Sequence, residues 1–251
     1  MSIIDAFNTS EQIIDPSAVA RPIEGFPDTV LVTFSQKVLE AAAKRFKLTL
    51  LKEMHCCYTV PVYAFEYKGR KLGIYMTCLG GGAAAGLLEE IFAAGAKRAL
   101  FFGSCGVLDR SIAAGHFIVP TAAYRDEGTS YHYVPASDYI DIPTAAELSA
   151  AFDAISMPHV QGKTWTTDAI YRETRDALAK RRAEGCITVE MECAGIMAVG
   201  QFRKKAVYQF LYAEDCLDSV EWDPRIMGKQ PATAYEGYLD VALECAIRVK
   251  G

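Results

Sequence analysis

The chain has 251 residues, a formal net charge of −5 and a composition that is 51% hydrophobic. This length and polarity suit one large buried core, so we predict a single domain over residues 1–251. The chain has no long basic run, no apolar stretch of the roughly 20 residues that span a bilayer and no signal-peptide pattern at its start, so we expect a cytoplasmic protein without nucleic-acid or membrane partners.

The first predicted secondary structure follows an N-terminal lead-in. Residues 1–26 contain Pro16 and Pro22, and we expect them to be extended and without a core of their own. Residues 28–33 have the β-branched run of a buried strand. Residues 36–46 have the apolar spacing of a helix. The two segments together predict a βα unit.

A hairpin and a glycine-rich segment come next. The glycine-containing turn Lys68-Gly69-Arg70 joins two strand-like runs, 61–67 and 71–77. Gly80-Gly81-Gly82 then precedes a predicted helix at 87–95. Glycines between a strand and a helix let backbone N–H groups approach a ligand, and a helix N-terminus favours an anion. A tight turn with close helix packing explains these glycines equally well.

The motif Gly103-Ser104-Cys105-Gly106 follows a predicted buried strand at 99–102. If the strand ends there, a hydroxyl and free N–H groups lie at the ligand-binding edge of the sheet. The polar and aromatic segment 124–133, which contains Arg125, is either a loop that lines a site or an ordinary surface loop.

The rest of the chain alternates strands and helices. Strands are predicted at 116–120, 162–171 and 206–212, and helices at 145–155, 172–184, 192–203 and 232–249. Such alternation is typical of a mostly parallel sheet with helices on both faces and ligands at the carboxyl ends of the strands.

An acidic motif, Val189-Glu190-Met191-Glu192, lies between a short apolar strand and a predicted helix. One interpretation is that the two glutamates cap the helix, because its dipole favours a carboxylate there. The other is that a carboxylate at this strand end binds the vicinal hydroxyls of a ribose, since an ionised carboxylate only accepts hydrogen bonds.

The cysteines and histidines do not form a recognisable metal site. The chain has eight cysteines and four histidines, without a Cys-x-x-Cys pair. A zinc site or disulfide framework requires closer, patterned spacing. We therefore predict buried free thiols, because reduced cysteine behaves as a small apolar residue, and no metal or organic cofactor.

Three motifs in order resemble the nucleoside phosphorylase-I superfamily: Gly103-Ser104-Cys105-Gly106, the acidic motif with Ala194-Gly195-Ile196, and Glu214-Asp215. Within this superfamily the chain looks like the bacterial hexameric purine nucleoside phosphorylases and uridine phosphorylases. The resemblance runs from about residue 28 to the C-terminal helix. It implies an α/β three-layer sandwich whose mostly parallel, partly barrel-like central sheet is covered by helices, and a homo-oligomer built from dimers, with a hexamer as one form.

The resemblance also implies roles for individual residues. Glu192 would bind the ribose 2′- and 3′-hydroxyls, with Met191 against the sugar and Glu190 beside the base. Ser104 would contact phosphate. The other implied substrate contacts are Cys105, Gly106 and Ile170.

Asp215 would act as general acid on a ring nitrogen of the base. The base leaves as an anion unless it is protonated, and a positioned acid contributes typically ~10²–10⁴-fold. Asp215 favours a purine substrate. The glutamine–arginine pair that binds uracil in uridine phosphorylases is not in register after Tyr171, where only Arg172 and Arg175 occur.

The phosphate-binding residues of the family are missing. Where relatives carry a glycine and arginines, this chain has Phe34, Val38, Phe101 and Tyr58. An unpaired buried charge costs several kcal/mol, so phosphate needs other partners. The candidates for a phosphate or water site are Lys37, Arg125, Ser104 and the backbone of Gly81 and Gly82.

Three functions remain open. The first is a nucleoside phosphorylase with phosphate as co-substrate. The second is a nucleosidase that uses water because the arginines are absent, although Ser35 and Gln36, after the first strand, offer no general base. The third is a non-catalytic nucleoside-binding protein, which the joint presence of Glu192 and Asp215 disfavours.

Overall fold

The computed structural model describes residues 2–250. Met1 and Gly251, which belong to the predicted domain, lie outside the described residues. The strands are β1 Thr29–Thr33, β2 Thr49–His55, β3 Thr59–Tyr67, β4 Arg70–Met76, β5 Arg98–Val107, β6 Phe117–Asp126, β7 Tyr139–Asp141, β8 His159–Thr167, β9 Cys186–Glu190 and β10 Ala206–Cys216. The helices are α1 Gln36–Arg45, α2 Gly81–Ala94, α3 Ala145–Ala154, α4 Arg175–Ala183, α5 Cys193–Arg203 and α6 Ala232–Ala246.

One mixed sheet forms the centre of the fold. The open part of the sheet has the strand order β2-β3-β4-β1-β5. The rest of the sheet closes into a five-stranded ring in the order β5-β10-β6-β8-β9, because β5 pairs with both β9 and β10. The two longest ladders, β5–β10 and β6–β8, are parallel. The predicted α/β class with a partly barrel-like sheet is confirmed.

Between the strands of the described residues, antiparallel pairing occurs in the hairpin region, at the short strand β7 and in the two ladders β5–β9 and β6–β10 that complete the ring. The predicted hairpin of β3 and β4 is confirmed, and both residues of its turn, Lys68 and Gly69, have positive φ. This is the backbone that a two-residue hairpin turn requires.

Several predicted boundaries are wrong. Strands β5 and β10 run through their motifs instead of ending before them, and α2 begins at Gly81 rather than at 87. Strand β8 ends at Thr167, and α4 begins at Arg175 because Thr174 accepts a hydrogen bond from the N–H of Ala177 and caps the helix. Strands β2 and β7 were not predicted. The start of segment 124–133 belongs to β6.

The N-terminal lead-in is not wholly extended. It contains two short 3₁₀ turns, Ile3–Asp5 and Pro16–Ala18. Ala20 and Phe26 are its buried apolar side chains in the described part of the chain, and Phe26 joins the main core. None of the helices within residues 2–250 has the length and apolar character that crossing a membrane requires.

The packing of α2 against α5 positions the site. Both helices are largely buried, and a Cβ placed on Gly195 of α5 would lie 3.5 Å from Cα of Gly81 in α2. The small residues of the Ala194-Gly195 motif therefore let the two helices approach closely at their N-terminal ends. This contact brings the loop before α2 to the end of β9.

Candidate active site

Glu190 and Glu192 have different structural roles. Oε2 of Glu190 accepts the N–H groups of Glu192 and Cys193 at 2.7 and 2.6 Å, and Oε1 accepts the hydroxyl of Thr166 at 2.5 Å. The side chain of Glu190 thus caps the free N–H groups at the start of α5 from two positions before the N-cap residue, and the capping interpretation applies to it. These contacts hold its carboxylate at the start of the helix.

The carboxylate of Glu192 points away from its own helix. Glu192 is the N-cap residue of α5, yet its Oε1 accepts the N–H of Gly80, at the start of α2, at 2.6 Å. Only 5% of Glu192 is exposed. Burial raises the pKa of Glu192 above its usual range, and the nearby charge of Glu190 raises it further. Between them lies Met191, which is partly exposed.

The Gly103-Ser104-Cys105-Gly106 motif lies within β5, and Gly106 pairs with Val189, the residue before Glu190. Ser104 is exposed, whereas its neighbours are buried. Burial raises the pKa of the Cys105 thiol, and the charges of Asp215, Glu190 and Glu214 add to the effect, so these carboxyl groups surround Cys105. A thiol with a raised pKa is a poor nucleophile, and Cys105 acts here as a small packing residue.

Gly106 makes room for Asp215. A Cβ on Gly106 would lie 3.2 Å from Oδ1 of Asp215 and 2.7 Å from Cδ1 of Leu217. The register of β10 against β5 shifts between Ala213 and Asp215, so Glu214 is the extra residue of a β-bulge. Bulges redirect side chains next to active sites, and this one presents both acids at the same strand end.

Asp215 is a buried acid with one fixed hydrogen bond. Its Oδ2 accepts the indole N–H of Trp222 at 2.7 Å. Burial raises the pKa of Asp215, while the Trp222 hydrogen bond and the charge of Arg225 lower it, and the net shift is upward. Trp222 was not predicted from the sequence. The only indication in the sequence was that an aromatic residue, Trp222, follows Asp215 by seven positions.

Glu214 lies beside Ser104, the residue that the resemblance assigns to phosphate binding. Burial raises the pKa of its carboxyl group, whereas hydrogen bonding to Ser104 and Gln230 and the charge of Lys37 lower it, with a net upward shift. Lys37 is exposed, and its Nζ lies 4.9 Å from the ring centroid of Tyr235. The site therefore holds one lysine and one carboxyl group around the hydroxyl of Ser104.

Phe34 and Phe101 form an apolar surface at two of the positions where the resemblance leads one to expect phosphate-binding residues. A Cβ on Gly103 would come within 2.6 Å of the Phe34 ring, so this ring packs directly on the glycine. The centroids of Phe34 and Phe101 are 6.3 Å apart. Val38 is fully buried in α1, and the hydroxyl of Tyr58 interacts with Cys78. These four positions supply no positive charge.

Arg125 does not serve as a substitute cation. Its guanidinium donates to Oγ of Ser130 at 2.8 Å, to the carbonyl of Pro135 at 2.7 Å and to Oγ of Ser137 at 3.0 Å, and it lies 4.0 Å from the ring centroid of Tyr131. The side chain is 3% exposed. The prediction that Arg125 binds phosphate is therefore contradicted, because its donors hold together the loop after β6.

Gly81 and Gly82 form the first turn of α2 and pack against the same loop. A Cβ on either residue would lie 3.5–3.6 Å from the hydroxyl of Thr129. The N–H of Gly80 is already bonded to Glu192. A Cβ would therefore fit at both positions in ordinary van der Waals contact, and packing alone does not require these glycines. Lys37 is left as the one proposed cation with an exposed side chain among residues 2–250.

The segment after β8 contributes another acid. Ile170 is half-exposed in a 3₁₀ turn, and Arg175 donates to the carbonyls of Ser219, at 2.8 Å, and Val220. This contact ties the segment to the loop that carries Trp222. Burial raises the pKa of Glu173 to about 7, and the charge of Asp215 contributes. Glu173, which the sequence interpretation missed, therefore lies near the predicted general acid.

Comparison with known proteins places the fold and these motifs in a family. Residues 28–230 match the phosphorylase superfamily, so the chain belongs to this superfamily and the predicted resemblance is confirmed. The superfamily assignment defines a class of nucleoside-cleaving enzymes that includes phosphorylases and nucleosidases.

Two relatives share significant sequence identity with the chain. The chain is 31% identical over 140 residues to a guanosine phosphorylase of Halorubrum lacusprofundi, an alignment that covers 54% of the chain and only 57% of the relative. It is 23% identical over 213 residues to a DeoD-type purine nucleoside phosphorylase of Bacillus cytotoxicus, covering 82% of the chain and 89% of the relative.

Two solved structures share the fold. A uridine phosphorylase from Vibrio fischeri superposes with a TM-score of 0.77 at 22% identity, covering 91% of this chain and 95% of that one. An AMP nucleosidase from Bacteroides thetaiotaomicron superposes with a TM-score of 0.69 at 21% identity, covering 88% and 87%. At these identities the likeness concerns the fold.

Proposed function

We propose that the protein cleaves the N-glycosidic bond of a purine nucleoside by phosphorolysis and releases the free base and a pentose 1-phosphate. One observation carries this proposal: two buried carboxyl groups, those of Glu192 and Asp215, lie on either side of strand β5, and burial raises the pKa of Asp215. The reaction requires at least one acid that binds the sugar and one acid that protonates the base, and these two lie at adjacent strand ends.

Glu192 is suited to binding the sugar. The N–H of Gly80 fixes one oxygen of its carboxylate, and this contact holds the group between two helix starts. When ionised, the carboxylate accepts hydrogen bonds from two vicinal hydroxyls and fixes the ribose ring. The partly exposed Met191 offers an apolar contact beside it.

Asp215 is suited to protonating the leaving base. Its raised pKa keeps a proton on the carboxyl group to a higher pH than usual. Trp222 occupies Oδ2, which leaves Oδ1 above Gly106 to carry the transferred proton. Negative charge develops on the base only as the glycosidic bond breaks, so this proton stabilises the transition state more than the bound substrate.

Glu173 points to a base with several N–H donors. Two carboxyl groups, Glu173 and Asp215, lie close together on this side of the site. The base of guanosine carries a ring N–H beside its 2-amino group, and the Glu173 carboxylate can accept both when it is ionised, whereas the base of adenosine has no N–H on its ring. We therefore propose a guanosine-type substrate, in agreement with the name of the Halorubrum relative.

Phosphate has a reduced set of partners in this proposal. The exposed Ser104 hydroxyl and the amine of Lys37 bind two of its oxygens, and the protonated carboxyl group of Glu214 donates to a third. A neutral carboxylic acid can donate a hydrogen bond to an anion without adding a like charge. The raised pKa of Glu214 supports this state.

Hydrolysis is a second candidate, and Glu214 is also the observation that favours it. If Glu214 is ionised, it lies beside Ser104 as a general base for water in the place of phosphate, and this base was missing from the sequence interpretation. The apolar Phe34 surface on Gly103 disfavours a dianion and is compatible with water.

The test measures base release from guanosine, inosine, adenosine and uridine, in phosphate buffer and in phosphate-free buffer, with the wild type and with Glu214→Gln. In phosphorolysis, release requires phosphate and yields a sugar 1-phosphate, and Glu214→Gln keeps activity because an amide still donates a hydrogen bond. In hydrolysis, release is independent of phosphate and Glu214→Gln abolishes it. Nucleoside binding without any release would identify a non-catalytic binding protein.

We also propose that the protein is a homo-oligomer. Several large apolar side chains beside the site are exposed, namely Leu79, Tyr171, Val220 and Trp222. Static light scattering at several protein concentrations tests this proposal, and a mass equal to one chain throughout would refute it.

A further inference from the structure

Three cysteines from separate segments meet at one place outside the candidate active site. Cys56 and Cys57 lie in the turn between β2 and β3, and Cys78 lies between β4 and α2. Their Sγ atoms all lie within 4.8 Å of one another. Cys56 and Cys57 are exposed, whereas Cys78 is buried, so the cluster opens to solvent on one side. The prediction of buried thiols is wrong for this exposed pair.

The spacing of the sulfurs is close to that of a metal site. With Zn–S bonds of about 2.3 Å, tetrahedral geometry places two sulfur ligands about 3.8 Å apart. Sγ atoms within 4.8 Å therefore need to move by no more than about 1 Å to share one cation. Cys56 and Cys57 can supply this movement because they lie in an exposed turn. The turn itself is ordered by a hydrogen bond from the N–H of Cys56 to the carbonyl of Tyr58 at 3.1 Å.

A phenol also belongs to the cluster, because the hydroxyl of Tyr58 hydrogen-bonds to Cys78. Cys78 is buried beside the exposed thiols of Cys56 and Cys57. Interaction with Cys78 raises the pKa of Tyr58 to about 12. Three thiolates this close together repel one another unless a cation compensates their charge. A cation with affinity for sulfur would displace the protons and bind all three.

We propose that Cys56, Cys57 and Cys78 form a binding site for Zn²⁺, with water as the fourth ligand. Thiolates select cations of this kind, and three protein ligands with one open position are typical of an accessible zinc site. Binding one Zn²⁺ converts three S–H groups to thiolates and releases three protons. The bound cation fixes Cys78 two residues before Gly80, whose N–H binds Glu192.

The test titrates the fully reduced, chelator-treated protein with Zn²⁺ in competition with a chromophoric chelator. We expect one Zn²⁺ per chain and release of up to three protons. Cys56→Ser, Cys57→Ser and Cys78→Ser each lower the affinity by more than the ~10–100-fold that loss of an outer partner of a ligand typically costs. Cys245→Ala, which changes a buried thiol in α6, is the matched control and keeps the wild-type affinity. Co²⁺ should give the intense charge-transfer absorption of thiolate ligands.

Two results would overturn the proposal. One is a Zn²⁺ affinity of the Cys56→Ser and Cys57→Ser variants that equals that of the wild type. These substitutions change only exposed side chains, and circular dichroism can verify that both variants are folded. The other is a disulfide between Cys78 and either Cys56 or Cys57 that mass spectrometry detects and that re-forms in air in the presence of Zn²⁺. That outcome would assign the cluster to thiol oxidation.

Discussion

The N–H of Gly80 donates to Oε1 of Glu192 at 2.6 Å, across 112 positions of the sequence. One carboxylate thereby joins the start of α2 to the start of α5. The carboxylate of Glu190, two positions earlier, instead accepts the N–H groups at the start of α5, so the two glutamates of one short motif make different contacts. This difference makes the two residues separable by mutation.

Glu192→Ala should weaken the binding of nucleosides more than the binding of the free base. A hydrogen bond to a charged group contributes about 1.5–3 kcal/mol, so KM for the nucleoside should rise by roughly ten- to a hundredfold. Steady-state kinetics and inhibition by the free base measure the two effects. Equal losses for both ligands would mean that Glu192 serves only to join the helices.

Gly106→Ala should lower kcat with little effect on the rest of the fold. The new Cβ would lie 3.2 Å from Oδ1 of Asp215 and 2.7 Å from a terminal atom of Leu217, so the acid must shift. A small misplacement of a catalytic group can cost about a hundredfold. Gly86→Ala in α2 is the matched control, since its Cβ meets nothing within 4 Å. Unchanged kcat in Gly106→Ala would argue against Asp215 as the acid.

Local patterns predicted much of the fold. The β-branched run of β1, the apolar spacing of α1 and the glycine turn of the β3–β4 hairpin are properties of adjacent residues, and all three predictions are confirmed. Strand β2 was missed because it lies at the edge of the sheet, where most of its residues are at least partly exposed and do not alternate between buried and exposed positions.

The candidate site was predictable only in part, because several of its contacts depend on loops that fold back. Trp222 and Gln230 lie in the loop after β10, yet they contact Asp215 and Glu214. Arg125 was a reasonable candidate for phosphate by charge alone. Only the structure places its guanidinium among the carbonyls and hydroxyls of its own loop, which sequence spacing does not encode.

Trp222→Phe should move the pH dependence of kcat. The Trp222 hydrogen bond lowers the pKa of Asp215, so its removal raises that pKa. Asp215 must be protonated to act as an acid, and activity therefore falls as pH rises through its pKa. The alkaline limb of kcat should shift to higher pH in Trp222→Phe. Asp215→Asn should lose that limb and lower kcat by about 10²–10⁴-fold. An unshifted limb in Trp222→Phe would assign it to another group.

Glu192→Gln should stabilise the ligand-free protein in alkaline solution. A glutamate whose pKa is raised in the folded state contributes stability that is present below the unfolded pKa of about 4.3 and is lost as pH rises through the folded value. Burial and the charge of Glu190 raise the pKa of Glu192, so the wild type should lose stability over that range and the glutamine variant should lose less. Urea unfolding from pH 5 to 9 measures this, with the exposed Glu66→Gln as control. Parallel curves for wild type and Glu192→Gln would contradict the prediction.

Glu173→Gln should change the choice of base rather than the chemistry. If the Glu173 carboxylate accepts N–H groups of a 2-amino-6-oxopurine, an amide that also presents donors makes a poorer contact. Loss of one hydrogen bond to a charged group, about 1.5–3 kcal/mol, should lower kcat/KM for guanosine by roughly ten- to a hundredfold. Activity on adenosine should stay within a few-fold of wild type. Burial raises the pKa of Glu173 to about 7, so the preference of the wild type for guanosine should increase with pH as this group ionises. A uniform loss on all nucleosides would instead indicate that Glu173 acts through Asp215, whose charge it senses.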